Sequence, residues 1–102
     1  MKAKVMVRRQ VHDFIGALAP EPRRKLTAAI RRLADENKDI LQLEGKLHPY
    51  WRLRCGRIRV IFEEQFVRGE RRRVCFFADY RATVYQIVEQ LIANGLIDEL
   101  KN

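Results

Sequence analysis

The 102-residue sequence predicts a single α+β domain over residues 1–102, with helices packed on one face of an antiparallel sheet in the order β-α-α-β-β-β-α. Two observations lead to this prediction. Apolar residues recur at every third or fourth position in three segments, as in amphipathic helices, and at every second position in others, as in strands. In addition, 47% of the residues are hydrophobic, which is enough for one core in a chain of this length and too little for two.

One strand and two helices are predicted in the first third of the chain. The short segment Lys4–Arg8 alternates as a strand does. A helical face follows, formed by Val11, Phe14, Ile15 and Leu18. Pro20 and Pro22 end this helix and start a second one at 21–36, because proline is tolerated in the first turn of a helix but not in its interior. The two helices are therefore expected to be antiparallel and tightly joined.

A β-hairpin is predicted in the middle of the chain. Residues 37–49 show no sustained period and are expected to cross the surface before the sheet resumes. Two alternating segments then follow, hinged at Gly56. The apolar positions of this hairpin are Trp51, Leu53, Cys55, Ile58, Val60 and Phe62, and the positions between them include Arg52, Arg54, Arg57 and Arg59.

The last predicted strand differs from the hairpin in its pattern. The charged stretch 65–72 is predicted to be a turn, with the run Arg71-Arg72-Arg73 exposed there. Residues 73–79 include the almost continuous apolar run 74–78, which is typical of a strand that is covered on both faces and lies inside the sheet.

A C-terminal helix completes the predicted fold. From Arg81 onward the helical period returns, and Asn94-Gly95 is expected to end the helix. Its apolar face comprises Val84, Ile87, Val88, Leu91 and Ile92, and a final apolar patch follows at Leu96, Ile97 and Leu100.

The charge of the chain favours a polyanionic partner. Lys and Arg total 21 against 13 Asp and Glu, a formal net charge of +8, and charge alone does not choose among RNA, DNA and an acidic protein. The hairpin concentrates this charge, and arginine stays ionised at any working pH while its forked donors match phosphate oxygens. We therefore expect the arginine face to bind a nucleic-acid backbone, the alternative interpretation being a solvated strand face.

The two cysteines and the hydropathy of the chain indicate the cellular compartment of the protein. Cys55 and Cys75 both lie in strand-like apolar segments, which is typical of buried thiols in a reducing environment rather than of a disulfide framework. The sequence shows no Cys/His spacing typical of a metal site, no leader-like segment and no apolar run long enough to cross a bilayer. The expectation is a cytoplasmic protein with no membrane association, no metal and no small-molecule cofactor.

Four short motifs occur in a fixed order along the chain. They are Leu43-Glu44-Gly45, Tyr50-Trp51-Arg52-Leu53-Arg54, Gly56 followed by Arg59-Val60-Ile61-Phe62, and Tyr80-Arg81-Ala82-Thr83-Val84-Tyr85. In this order and spacing they resemble the L-x-G, aromatic-R-L-R, G-x-x-R-V-[IV]-[FY] and H-R-x-x-V-Y motifs of the RelE/ParE superfamily of toxin–antitoxin toxins. The resemblance covers nearly the whole chain and implies a RelE-like fold.

Resemblance to the ribonuclease branch of this superfamily implies cleavage of messenger RNA in the ribosomal A site, and hence inhibition of translation and growth arrest. In that reaction the 2′-hydroxyl attacks the adjacent phosphate and leaves a 2′,3′-cyclic phosphate, which positioning and charge stabilisation can achieve without a metal. The implied catalytic residues are Arg59, Arg81 and Tyr85, and the residues expected to bind RNA or phosphate are Arg52, Arg54 and Arg57.

The candidate residues differ in the chemistry they can supply. A guanidinium is a poor proton donor, so we assign Arg59 to electrostatic stabilisation of the phosphate. Tyr85 could stack on a base or accept a proton. Tyr80 stands where the superfamily often has histidine, so the side chain best suited to proton transfer near neutral pH is missing at that position. His48 and Glu44 are the alternatives, each set against an ordinary solvated loop residue.

Two other functions remain open from the sequence. The ParE-like branch shares the fold but inhibits DNA gyrase, which does not require a phosphate site, and a non-catalytic basic module that binds an acidic partner is the third possibility. Under either toxin hypothesis the expected partner is an acidic, partly disordered antitoxin that folds over the basic groove or adds to the sheet. For the ribonuclease, the ribosome and messenger RNA are further partners.

Overall fold

The computed structural model describes residues 2–35 and 38–102. This part of the chain forms an α+β fold with one mixed sheet of five strands and four α-helices. The strands are β1 (Lys4–Val7), β2 (Ile40–Gln42), β3 (Trp51–Cys55), β4 (Ile58–Val67) and β5 (Glu70–Tyr80). The helices are α1 (Arg9–Ala17), α2 (Pro20–Arg31), α3 (Val84–Ala93) and α4 (Ile97–Lys101). Across the sheet the strands lie in the order β1-β5-β4-β3-β2.

The predicted helical hairpin of α1 and α2 is confirmed and covers one face of the sheet. Pro20 begins α2, where a missing backbone N–H costs nothing because the first turn of a helix has no acceptor for it. Apolar side chains from both helices meet those of the strands in a first core cluster, whose buried members include Val11, Leu26, Ile30, Leu33, Leu53, Val60 and Phe62. Trp51 stacks on Phe62 at the margin of this cluster, with ring centroids 6.2 Å apart.

The opposite face carries a second core cluster under α3 and α4. The apolar run of β5 contributes to both clusters, because a β-bulge opposite Ile61 and Phe62 turns Phe76 and Phe77 to the same side. Tyr50 packs edge-on against Phe76 at 5.1 Å. The predicted interior strand is thus confirmed, since β5 is paired on both edges and covered on both faces.

Two features of the predicted architecture are wrong. The sheet is not antiparallel throughout, because β1 pairs with β5 in parallel, with Lys4 opposite Arg72 and Val7 opposite Cys75. The helices also do not share one face, because α1 and α2 bury the first cluster whereas α3 and α4 bury the second. Both features depend on the path of the chain between elements, to which local periodicity is insensitive.

The predicted boundaries also need correction. The connector contains an additional strand, β2, and the charged stretch at 65–72 belongs mostly to β4 and β5, with a turn only at Arg68-Gly69. Arg73 is buried rather than exposed. Its Nη1 donates to the carbonyl of Leu33 at 3.0 Å, and its guanidinium lies 5.7 Å from the centre of the Phe62 ring.

The remaining boundary predictions have mixed outcomes. The final apolar patch forms the short helix α4. The predicted second helix runs to Glu36, but α2 ends at Arg31, a 3-10 helix follows at Arg32–Ala34, and Asp35 is already extended. Glu36 itself and the predicted start of the connector at Asn37 lie outside the described residues. Asn94-Gly95 ends α3 as predicted, with Gly95 at a φ of 70°. Within residues 2–35 and 38–102, none of the helices combines the length and the apolar content needed to cross a bilayer.

Candidate nucleic-acid interface

Three of the predicted phosphate-binding or catalytic arginines lie on one face of the sheet. In the β3–β4 ladder Arg54 is directly opposite Arg59, and Arg52, two residues before Arg54, points to the same side. This face is opposite to the one that α1 and α2 cover, because Leu53 and Val60 between these arginines point into the first core cluster. We call Arg52, Arg54 and Arg59 the arginine row.

Backbone carbonyl groups hold most of the row in place. Nη1 of Arg59 donates to the carbonyls of Gly56 at 2.8 Å and Ile58 at 3.0 Å, which fixes the guanidinium over the hairpin turn. Nη1 of Arg52 donates to the carbonyl of Asp39 at 3.0 Å. A carbonyl orients a guanidinium without neutralising it, so both arginines keep their full charge for a ligand.

Asp39 is the residue that organises the β3 side of the row. Besides binding Arg52 through its carbonyl, it accepts a bond from the backbone N–H of Arg54 at 3.0 Å, and its Oδ1 lies 3.3 Å from Nη2 of the same residue. This ion pair is solvent-exposed, with 56% of the Arg54 side chain accessible, and such pairs are weak. This role of Asp39 leaves no local signal in the sequence, because Asp39 is one charged residue in an aperiodic connector.

The other two predicted arginines meet at the hairpin turn. The backbone N–H of Arg81 donates to the carbonyl of Arg57 at 2.7 Å, which ties the segment before α3 to the turn between β3 and β4. Both residues are exposed. The five arginines predicted from the sequence therefore belong to one end of the sheet, where β3, β4 and β5 meet the start of α3.

Asp79 connects this end of the sheet to α3. It lies opposite Arg59 in the β4–β5 ladder. Its Oδ1 accepts from the backbone N–H of Tyr80 at 2.8 Å, and its Oδ2 accepts from the Thr83 hydroxyl at 3.0 Å. The carboxylate thereby fixes the turn that leads into the helix carrying Tyr85.

Tyr85 lies on the same side of the sheet as the arginine row. It is half-buried near the start of α3 and packs against the second core cluster, which includes Ile61 and Phe77 of that face. Although Tyr85 is not part of the predicted apolar face of the helix, its ring therefore has both a packed and an accessible part.

The other residues considered for proton transfer are divided between the two faces of the sheet. Tyr80 is opposite Ile58, which points into the first core cluster, and its ring contacts Phe14 at 5.6 Å, so it faces the α1 and α2 side. His48 is in the connection before β3, with Nδ1 3.3 Å from the carbonyl of Leu43. Glu44 immediately precedes the short 3-10 helix Gly45–Leu47 of that same connection, which packs against the second core cluster on the side of the arginine row.

The chemistry available at this interface is charge stabilisation. In the described part of the chain, no three His, Cys, Asp or Glu side chains are grouped so as to hold a metal ion. Arg54 and Arg59 are like charges placed directly opposite each other, an arrangement that destabilises a sheet. An anion bound between the two guanidinium groups would remove their repulsion. Guanidinium groups also match phosphate oxygens in geometry.

Comparison with known proteins adds no assignment. No protein-family model matches the chain, and no curated protein matches it.

Proposed function

We propose that this protein is a RelE-like toxin of a toxin–antitoxin system that cleaves messenger RNA on the ribosome, without a metal, by attack of the 2′-hydroxyl on the adjacent phosphate. The observation that carries the proposal is the direct pairing of Arg54 with Arg59 across β3 and β4, beside Arg52. Two cations held opposite each other are unfavourable by themselves and favourable around a phosphate.

The roles proposed for the residues follow from how they are held. Arg59 stabilises the charge that develops on the phosphate, because backbone carbonyls orient it while its Nε and Nη2 have no hydrogen-bond partner among the described residues. Arg52 and Arg54 bind the flanking backbone. Tyr85 and Arg81 bound the site on the α3 side, where the phenol can stack on a base or assist proton transfer.

The fold and charge also support the proposal. The described part of the chain is an α+β fold with one mixed sheet of five strands and four α-helices, and a fold of this class is compatible with the proposal. A formal charge of +8 suits both ribosomal RNA and an acidic antitoxin that would neutralise the toxin.

The test is induced expression of the wild type and of Arg59→Gln in a bacterial host, with growth and transcript ends as readouts. We expect the wild type to stop growth and to generate new 2′,3′-cyclic phosphate ends. Arg59→Gln should cleave about 100-fold to 1,000-fold less, the usual effect of removing one group that stabilises transition-state charge. The matched control is Arg68→Gln, which removes an exposed arginine at the far end of β4.

Two results would contradict the proposal. Growth arrest that persists in Arg59→Gln, with an unchanged melting temperature, would exclude the proposed role of the row. Inhibition of supercoiling by purified gyrase, without new transcript ends, would instead identify the ParE-like activity.

A further inference from the structure

A cationic groove lies between α2 and the β3–β4 hairpin. It has a volume of about 470 Å³ and is lined by Lys25 and Arg32, by Arg54 and Asp39, and by small residues of α2 and the hairpin turn. Arg54 belongs to the arginine row as well, so the groove borders the row at this residue, although the two lie on opposite faces of the sheet. Three cations and one carboxylate line it, which leaves a net charge favourable to an anion.

The cations of the groove are available for a ligand. Lys25 pairs with Glu21 at 3.2 Å, but both side chains are 70% exposed, and ion pairs of this kind are weak and easily exchanged. The Arg32 side chain has no hydrogen-bond or ion-pair partner among the described residues. Burial raises the pKa of the Cys55 thiol that lines the groove, and the charges of the groove act on it in both directions, since Arg32 and Lys25 lower this pKa and Asp39 raises it.

An apolar pocket adjoins the groove at Lys25, Cys55 and Gly56. It has a volume of about 440 Å³, and its other walls include Leu18, Pro22 and Tyr80. Tyr80 contacts Phe14 on one side, yet 47% of its surface remains exposed. An exposed aromatic ring in an apolar pocket beside cations is the arrangement with which proteins bind unstacked bases of single strands.

The dimensions of the two depressions suit one nucleotide. Cys55, Ile58 and Tyr80 lie side by side on β3, β4 and β5. Neighbouring strands are about 4.8 Å apart, so the backbones of Cys55, which lines the groove, and of Tyr80, which lines the pocket, are separated by roughly 10 Å. A nucleotide whose phosphate lies on the cations can place its base on the ring.

We propose that the cationic groove and the adjoining Tyr80 pocket bind one nucleotide of single-stranded RNA, outside the nucleotides held at the arginine row. Lys25 and Arg32 take its phosphate, and Tyr80 stacks on its base. This inference rests on the proposed function, because it takes RNA as the ligand. It gives the enzyme a contact with its substrate on the face of the sheet opposite to the reaction.

The phosphate contact is tested with a short labelled oligoribonucleotide carrying 2′-O-methyl groups, which cannot be cleaved by 2′-hydroxyl attack. Fluorescence anisotropy gives its dissociation constant at several salt concentrations. For Lys25→Gln/Arg32→Gln we expect the slope of log affinity against log salt to fall in magnitude by about 0.7, since the two cations share one phosphate and each neutralised single-strand phosphate contributes about 0.7. The matched control, Arg24→Gln/Arg31→Gln, removes the same charge from exposed positions of α2 outside the groove.

The base contact is tested by comparing the wild type with two variants of Tyr80. Tyr80→Leu keeps an apolar residue against Phe14 and should weaken binding about fivefold to a hundredfold, the range found when a base loses its aromatic platform. Tyr80→Phe should bind as the wild type does. An oligonucleotide with abasic positions should bind equally to all three proteins.

Each failure identifies a different error. If the two double variants lower the salt slope equally, or if Tyr80→Leu binds like Tyr80→Phe, the groove does not hold a nucleotide. If the groove variants behave as expected while Arg59→Gln still arrests growth, the nucleotide site stands and the proposed ribonuclease function fails. Thermal unfolding of every variant serves as the check on folding.

Discussion

The side-chain amide of Gln10 forms the hydrogen bonds of a strand at the open edge of β5. Removing this amide tests how much those hydrogen bonds contribute to the stability of the fold. The strand β1 ends at Val7, while β5 continues to Tyr80. Beyond the end of β1, Nε2 of Gln10 donates to the carbonyl of Ala78 at 2.8 Å, and its Oε1 accepts from the N–H of Ala78 at 2.7 Å. One side-chain amide thus continues the ladder from the first turn of α1.

The size of the effect follows from these two bonds. Ala78 is fully buried, so its N–H and carbonyl lose their partners in Gln10→Ala, and water reaches them only if the edge opens. A hydrogen bond is worth about 1 kcal/mol, and an unsatisfied buried group costs about 1–3 kcal/mol, so we expect a loss of about 2–4 kcal/mol in the free energy of unfolding. In urea this corresponds to a midpoint lower by about 1–2 M.

The assay is urea unfolding followed by circular dichroism, with Gln90→Ala as the matched control. Gln90 is exposed on α3, and surface replacements of this kind change stability by less than about 0.5 kcal/mol. If Gln10→Ala costs no more than Gln90→Ala, the amide does not act as a substitute for a strand, and the reasoning is refuted.

Gln10→Glu gives the same test a pH dependence. The ionised carboxylate can accept from the N–H of Ala78 but cannot donate to its carbonyl, so at neutral pH this variant should be nearly as unstable as Gln10→Ala. The protonated acid can do both. Its pKa is therefore expected to be higher in the folded state, and the stability it recovers should be complete below about pH 4 and lost as the pH rises. Equal stability of the two variants at every pH would contradict this.

Three further predictions concern other parts of the fold. Although burial disfavours the charged form of Lys101, its hydrogen bond and ion pair with Glu63 at 2.9 Å raise its pKa. The advantage of the wild type over Lys101→Met should therefore persist below about pH 10 and shrink above it, and a constant difference in urea unfolding up to high pH would disprove this. Gly56 has a φ of 59°, and a Cβ added there would meet open space. Gly56→Ala should therefore lower the free energy of unfolding by about 1–2 kcal/mol through backbone strain alone, and Gly56→Asn should lower it less. Equal urea midpoints for the wild type and both variants would show that the turn relaxes. Burial raises the pKa of the Cys75 thiol to about 12, whereas Cys55 is half-buried. Mass spectrometry after iodoacetamide treatment should therefore show one adduct on the native protein and two adducts in urea. Rapid labelling of both cysteines without urea would contradict the burial of Cys75.

Local patterns determined most of the elements of this protein. The alternation at 51–62 predicted both strands of the β3–β4 hairpin and the common face of its arginines, because side chains of a strand must alternate. Pro20 marked the start of α2, and Gly95 the end of α3, through backbone constraints that act within one turn. The continuous apolar run in β5 predicted burial on both faces for the same local reason.

Only the tertiary structure decided how these elements are arranged. The parallel pairing of β1, the strand β2 and the opposite placement of α3 depend on which segments meet after the chain has turned several times. Asp39 binds Arg52 of the arginine row, and Gln10 binds the backbone of Ala78 at the edge of β5. Each of these hydrogen bonds joins residues that are far apart in sequence, so neither leaves a local signal. Periodicity specifies which face of an element is apolar, whereas packing alone selects what that face will contact.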